Sequence, residues 1–92
     1  MAINIGRQRK DPDDTMDIPI DWEPYLLGAT ILSASSPSVP TGITVVSTTP
    51  YEGTTVIHRV SGGTLGAEYR LTSRVVPTSG GQLDLEFTVA IV

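Results

Sequence analysis

The segment QLDLEFTVAIV, residues 82–92, constrains the fold more than any other part of the chain. Apolar side chains occupy every second position from Leu83 to Ile91, and polar or small side chains such as Asp84 and Glu86 occupy the positions between them. A strict period of two places all apolar side chains on one face of an extended chain. This pattern therefore predicts a β-strand that buries one face.

The preceding residues predict the partner of this strand. The segment EYRLTSRVVP, residues 68–77, alternates in the same way, and PTSGGQ, residues 77–82, contains two glycines that can take the positive φ of a hairpin loop. Antiparallel pairing would place Arg70 and Arg74 near the acidic side chains of the last strand. Such cross-strand charge pairs favour one register.

Four further segments predict strands: DTMDIPIDW (14–22), ATILSAS (29–35), GITVVST (42–48) and TTVIHRV (54–60). Pro19 lacks a backbone N–H, so the first of these is expected at a sheet edge. No segment has a sustained apolar period of 3.6 residues, and helix content should be close to nil. The sequence LGAEYRL, with Tyr69, resembles the tyrosine corner of immunoglobulin-like sandwiches. We predict an all-β, immunoglobulin-like antiparallel β-sandwich of about six to seven strands, with a small closed barrel as the alternative.

The N-terminal residues differ from the rest of the chain. Residues 1–13 have little apolar content, which predicts an extended arm, with the immunoglobulin-like domain over residues 14–92. The arm is interpreted either as a floppy tail or as a segment that orders against a neighbouring subunit. In WEPYLLG, residues 22–28, the apolar cluster either caps one end of the sandwich core or is partly exposed and docks on a partner, since Trp and Tyr are favoured interface anchors. Its members are Trp22, Tyr25, Leu26 and Leu27.

Composition excludes several classes of function. The net charge of −4 argues against a nucleic-acid partner, and the absence of cysteine excludes thiolate metal sites and favours folding in a reducing compartment. No signal peptide or membrane-spanning run is present, which predicts synthesis in the cytoplasm and no membrane partner. His58 is interpreted as a sheet-surface side chain without a nucleophile to activate. DPDD, residues 11–14, is interpreted as a solvated turn, with a bound hard cation as the alternative. We predict no catalytic residue, no cofactor, no metal and no enzymatic activity.

Several short motifs in a fixed order resemble one protein family. They are KDP (10–12), DW (21–22), the leucine-glycine step at 27–28, VPTGITV (39–45) and SGGTLGAEYRLTSRV (61–75). Together they resemble the phage fiber-tail adaptor proteins, which are small immunoglobulin-like proteins of the virion. The likeness extends from Lys10 to about Val89.

The resemblance implies a structural virion protein, made in the host cytoplasm, that attaches a fibre to the tail or neck through protein–protein contacts. Its partners would be the fibre protein and tail, neck or baseplate proteins, and its copies would lie in a ring. The partner-binding residues expected on this basis are Arg7, Arg9, Lys10, Asp11, Trp22 and Tyr25. The alternatives are a capsid decoration protein and a host-surface-binding immunoglobulin-like domain, because the fold alone does not distinguish between them.

Overall fold

A computed structural model describes the backbone of residues 3–92 and the side chains from residue 6 onward. The described chain contains seven strands and one helical turn. Their bounds are β1 (Ile3–Lys10), β2 (Met16–Asp21), α1 (Glu23–Leu26), β3 (Ile31–Ser35), β4 (Ile43–Tyr51), β5 (Thr55–Gly62), β6 (Glu68–Pro77) and β7 (Leu83–Ile91). The predicted all-β class is confirmed.

The strands form two sheets with the core between them. One sheet has the order β1-β7-β6-β3 and the other the order β2-β5-β4. Every pair is antiparallel except β1 and β7, which are parallel. The predicted sandwich is therefore confirmed over the closed barrel. The strands after β1 divide between the sheets as they do in a constant-type immunoglobulin domain, but the immunoglobulin-like assignment itself stays a prediction.

The hairpin of β6 and β7 has the predicted register. Arg74 lies opposite Asp84 and donates hydrogen bonds of 2.8 and 3.0 Å to its two carboxylate oxygens. These bonds lower the pKa of the Asp84 carboxyl below its ordinary value. Arg70 Nε lies 3.6 Å from Glu86 Oε2, which completes the second predicted pair.

The core consists of the inward positions of both sheets. Fully or nearly fully buried apolar residues are Ile18, Ile20, Trp22, Leu26, Ile43, Val56, Val60, Tyr69, Leu71, Val75, Leu85, Phe87, Val89 and Ile91. At one end of this core the backbone N–H of Thr64 donates a 3.0 Å hydrogen bond to Tyr69 Oη. A Cβ on Gly42 would lie 3.1 Å from the same hydroxyl, so the backbone there packs directly on the tyrosine. The predicted tyrosine corner is confirmed.

Two local predictions differ in outcome. β2 is an edge strand of the three-stranded sheet, as Pro19 predicted. His58, however, is 0 % exposed, so its assignment to the sheet surface is wrong. The physical reason is visible in β5, where His58 shares one face with the buried residues Val56 and Val60.

The N-terminal residues add a strand to the sandwich. From residue 3 to residue 10 the chain forms β1, which pairs with β7 from Ile3 opposite Leu85 to Lys10 opposite Ile91. This pairing uses backbone groups and needs no apolar alternation, which is why the residue pattern predicted an arm instead. Residues 1 and 2 of that predicted arm lie outside the described residues, and the division of the chain into 1–13 and 14–92 stays a prediction.

Candidate partner-binding site

The candidate site lies on the side of the sandwich where β1 and β2 meet. These strands are edges of different sheets, and a cleft of about 310 Å³ separates them. Gly6 and Gln8 line it from β1, Asp21 lines it from β2, and Tyr25 lines it from α1. Phe87 of the core also lines this cleft. The cleft therefore combines apolar surface with a carboxylate and an amide.

Lys10 lies inside the protein and is 2 % exposed. Its Nζ donates hydrogen bonds of 2.8 Å to the Asp11 carbonyl and 2.7 Å to the Gly62 carbonyl. The Lys10 carbonyl accepts a 2.9 Å hydrogen bond from Val92 N. Lys10 therefore links the end of β1 to the end of β5, and its ammonium group binds within the chain.

Arg7, Arg9 and Asp11 are exposed. Arg7 Nε lies 3.2 Å from Glu68 Oε1 on the outer face of the four-stranded sheet. Arg9 has no ion pair among the residues whose side chains are described. Asp11 Oδ1 accepts a 2.9 Å hydrogen bond from Asp13 N, which holds the turn between β1 and β2.

Trp22 and Tyr25 have different environments. Trp22 is 0 % exposed and Tyr25 is 36 % exposed, and their rings meet edge to face with centroids 6.0 Å apart. Pro24 suits the first turn of α1 because a helix leaves its first N–H groups unpaired. Trp22 thus packs in the core, whereas Tyr25 presents one edge to the cleft. The Trp22 indole N–H is buried and has no hydrogen-bond partner among the described residues.

Residues 11–23 form an acidic segment that makes the β2 side of the cleft negative. Its six acids are Asp11, Asp13, Asp14, Asp17, Asp21 and Glu23. Of its six acids, Asp17 alone forms an ion pair in the described part of the chain, with its Oδ1 2.8 Å from Arg59 Nε. Hydrogen bonding to Arg59 lowers the pKa of the Asp17 carboxyl. Asp21 Oδ1 accepts a 3.0 Å hydrogen bond from Glu23 N. The side-chain carboxylates of Asp21 and Glu23 are both exposed. A partner that covers this side would need cations or donors to replace their hydration.

The predicted residues thus occupy three environments. Lys10 and Trp22 are buried, Arg7 and Arg9 are exposed on β1, and Tyr25 lines the cleft. Leu27, which belongs to the same predicted cluster, is 93 % exposed, whereas Leu26 is buried.

The side chain with the most acid–base potential is enclosed in the core. His58 Nε2 lies 2.7 Å from Ser73 Oγ, and its Nδ1 lies 3.0 Å from Thr48 Oγ1. Its ring stacks on Phe87 with centroids 5.3 Å apart. Burial lowers the pKa of His58 to about 4, because the charged form loses its hydration.

Two other kinds of site are absent from the described part of the chain. Within residues 3–92, no group of three or more His, Cys, Asp or Glu side chains is placed to hold a metal ion. No helix in the same range is long and apolar enough to cross a membrane.

Comparison with known proteins identifies the family. The family model described as Podophage GP4 fiber-tail adaptor protein gp77 matches residues 10–90. The matched range runs from the last residue of β1 nearly to the end of β7, so it includes both sheets. No curated protein matches the chain. Because the family match covers far more than half of the chain and agrees with the motifs above, the chain belongs to the podophage GP4 fiber-tail adaptor family, a family of structural phage proteins.

Proposed function

We propose that this protein is a virion component of a tailed phage that attaches a fibre to the tail or neck through protein–protein contacts. The observation that carries the proposal is the family match over residues 10–90, which spans nearly all of the sandwich. In this proposal the partners are the fibre protein and a tail, neck or baseplate protein, and several copies lie in a ring. Its role is binding, with no catalytic step.

The two sides of the sandwich support a connecting role. An adaptor must hold two partners at once, and here the sides differ in chemistry. The side with β1 and β2 carries exposed charges such as Arg9 and Asp21, whereas β3 and β4 on the opposite side carry none. Two partners of different surface chemistry could therefore bind without competing.

We assign one partner to the side with β1 and β2. Arg7, Arg9 and Asp11 would contact it through charge, and Tyr25 would insert an aromatic edge, as interface tyrosines commonly do. Lys10 and Trp22 would act from inside by fixing the positions of β1 and α1. The exposed groups then provide specificity and the buried groups keep them in place.

The role is tested first by immunogold electron microscopy of intact phage particles with antibody against this protein. Label at the neck or tail is the expected result. Label over the head would favour capsid decoration, and label at the distal ends of fibres would favour host-surface binding. Intact tailed particles without label would contradict a virion role.

The site is tested by complementing a phage that lacks this gene with substituted protein and counting particles that bear fibres. Arg9→Glu and Tyr25→Ala are expected to reduce the fibre-bearing fraction severalfold, because each removes an exposed contact. Leu65→Ala is the control, since Leu65 is 69 % exposed and lies between β5 and β6, outside the four edge strands. Normal fibre counts with both site variants would show that the partner binds elsewhere on the protein. The adaptor role itself would then be decided by the position of the immunogold label on the particle.

A further inference from the structure

The strands β3 and β4 leave the second side of the sandwich open. Each is the last strand of its sheet, on the side opposite β1 and β2. An open groove of about 510 Å³ lies between them, lined by residues 34–36 of the β3 side and by residues 43–45 and 47–48 of β4. An edge strand presents backbone N–H and C=O groups that lack a strand neighbour, and another strand can pair with them.

The two edge strands on this side, β3 and β4, carry no charged residue. From Pro24 to Tyr51 the sequence contains no Asp, Glu, Lys or Arg, although the chain has ten acids and six bases elsewhere. Folded proteins usually protect their sheet edges with charges or prolines. The β2 edge carries such protection in Asp17, Pro19 and Asp21. The β4 edge has no charge, and its interruptions are Pro50, next to its last residue, and a register irregularity between Val45 and Ser47.

The surface of β4 is also apolar where it is exposed. Val46 is 56 % exposed and lies at a register irregularity between Val45 and Ser47, and Tyr51 is 52 % exposed. The other exposed side chains of β4 include Thr44 and Thr49, which are short and uncharged. Such an edge can approach another uncharged strand without burying an unpaired charge.

We propose that β4 pairs antiparallel with β4 of a second copy of this chain across a two-fold axis near Val46. The occupant of this edge must be extended, because only another backbone satisfies a row of backbone groups. It must also be uncharged, because the edge offers no counter-charge. A second copy supplies both properties through its own β4, and a two-fold axis makes the interface self-complementary. Pro50 then falls at the end of the paired stretch, where its missing N–H costs least.

Charge favours this edge over the β2 edge for self-pairing. β2 and β4 are opposite edges of the three-stranded sheet, so pairing through β4 keeps the acidic β2 strands of the two copies apart. With strands about 4.8 Å apart, five strand spacings separate them by about 24 Å. This exceeds the screening length of about 8 Å at physiological ionic strength. Pairing through β2 would instead bring Asp17 and Asp21 of both copies together.

The proposal is tested by sedimentation equilibrium of the full chain over a wide concentration range. A reversible monomer–dimer equilibrium is expected. Val46→Lys should raise its dissociation constant by roughly tenfold or more, since the axis brings the two new ammonium groups close together. Val92→Lys is the matched control, because Val92 is 58 % exposed and lies outside β4, and it should leave the constant unchanged.

Other outcomes would overturn the proposal. One is that the native chain stays monomeric at every concentration. The other is that Val46→Lys and Val92→Lys weaken the dimer equally. If Val46→Lys does not fold, Thr44→Lys serves in its place, and amide hydrogen exchange of the native chain is a second measurement. Concentration-dependent protection should then appear in β4, and protection confined to other strands would contradict the assignment. The inference does not rest on the proposed adaptor role, but a second copy on β4 would occupy part of the side that is assigned there to a second partner.

Discussion

Acidification should destabilise this protein well above the pH at which its carboxylates titrate. His58 is fully buried between Ser73 and Thr48, with a pKa near 4 against an ordinary value of 6.5. Between these two values the unfolded chain binds a proton that the folded chain does not. The free energy of unfolding therefore falls as the pH falls from 6.5 towards 4, and His58 has no such effect above that window.

The size of the effect follows from the pKa difference. One pKa unit corresponds to 1.36 kcal/mol, so the shift from 6.5 to about 4 amounts to about 3 kcal/mol at the acid end of the window. A chain of 92 residues has a total stability of roughly 5–14 kcal/mol. Asp17 and Asp84, whose pKa values are lowered from 3.8, lose their contribution only at more acid pH. His58 therefore controls stability between pH 6.5 and about 4.

The assay is urea unfolding at several pH values, followed by the fluorescence of the single, buried Trp22. The native chain should lose about 2–3 kcal/mol between pH 7 and pH 4.5, whereas His58→Gln should show almost no change over this range. Because the chain has one histidine, its ring proton can also be titrated directly by NMR. An NMR midpoint near 6.5, or equal stability of the native chain at pH 7 and pH 4.5, would refute the reasoning.

Three further predictions concern stability. Tyr69→Phe removes the hydroxyl that closes the tyrosine corner and should cost about 1–2 kcal/mol in urea unfolding, and an unchanged midpoint would mean that this bond contributes nothing. Gly63 has φ +102°, and Gly63→Ala would place a Cβ 2.5 Å from Ile91 Cδ1, so this change should lower the free energy of unfolding by about 3 kcal/mol or more. Gly80→Ala would meet no atom within 4 Å and should cost only its backbone strain of about 1–2 kcal/mol. A double-mutant cycle on Arg74 and Asp84 should give a coupling of about 0.5–1 kcal/mol that decreases with added salt, and a salt-independent coupling would contradict a partly exposed ion pair.

The strands were predictable where one face of the strand is buried and the other is solvated. β7 shows this best, since its alternation gave both the strand and the register with β6. The same alternation predicts the burial of His58, because His58 lies two residues from Val56 and two from Val60 and so faces the same side of β5. The polar character of His58 favoured a surface position, whereas its place in the alternation of β5 indicated the core.

The rest could not be predicted because it depends on contacts distant in sequence. β1 is held by parallel pairing with β7, for which an eight-residue polar segment gives no local signal. The burial of Lys10 follows from that pairing, since its ammonium binds a carbonyl 52 residues away. Of the six predicted partner-binding residues, Tyr25 alone lines the cleft, and the structure was needed to separate the exposed ones from the buried Lys10 and Trp22.

The parallel pairing of β1 with β7 also determines how this protein would respond to tension. Ile3 lies opposite Leu85 and Lys10 opposite Ile91, so the first and last strands point the same way. A pull on residue 3 against a pull on residue 92 would act along these strands in opposite directions. All backbone hydrogen bonds between them would then be loaded at once in shear, which requires more force than breaking them one after another.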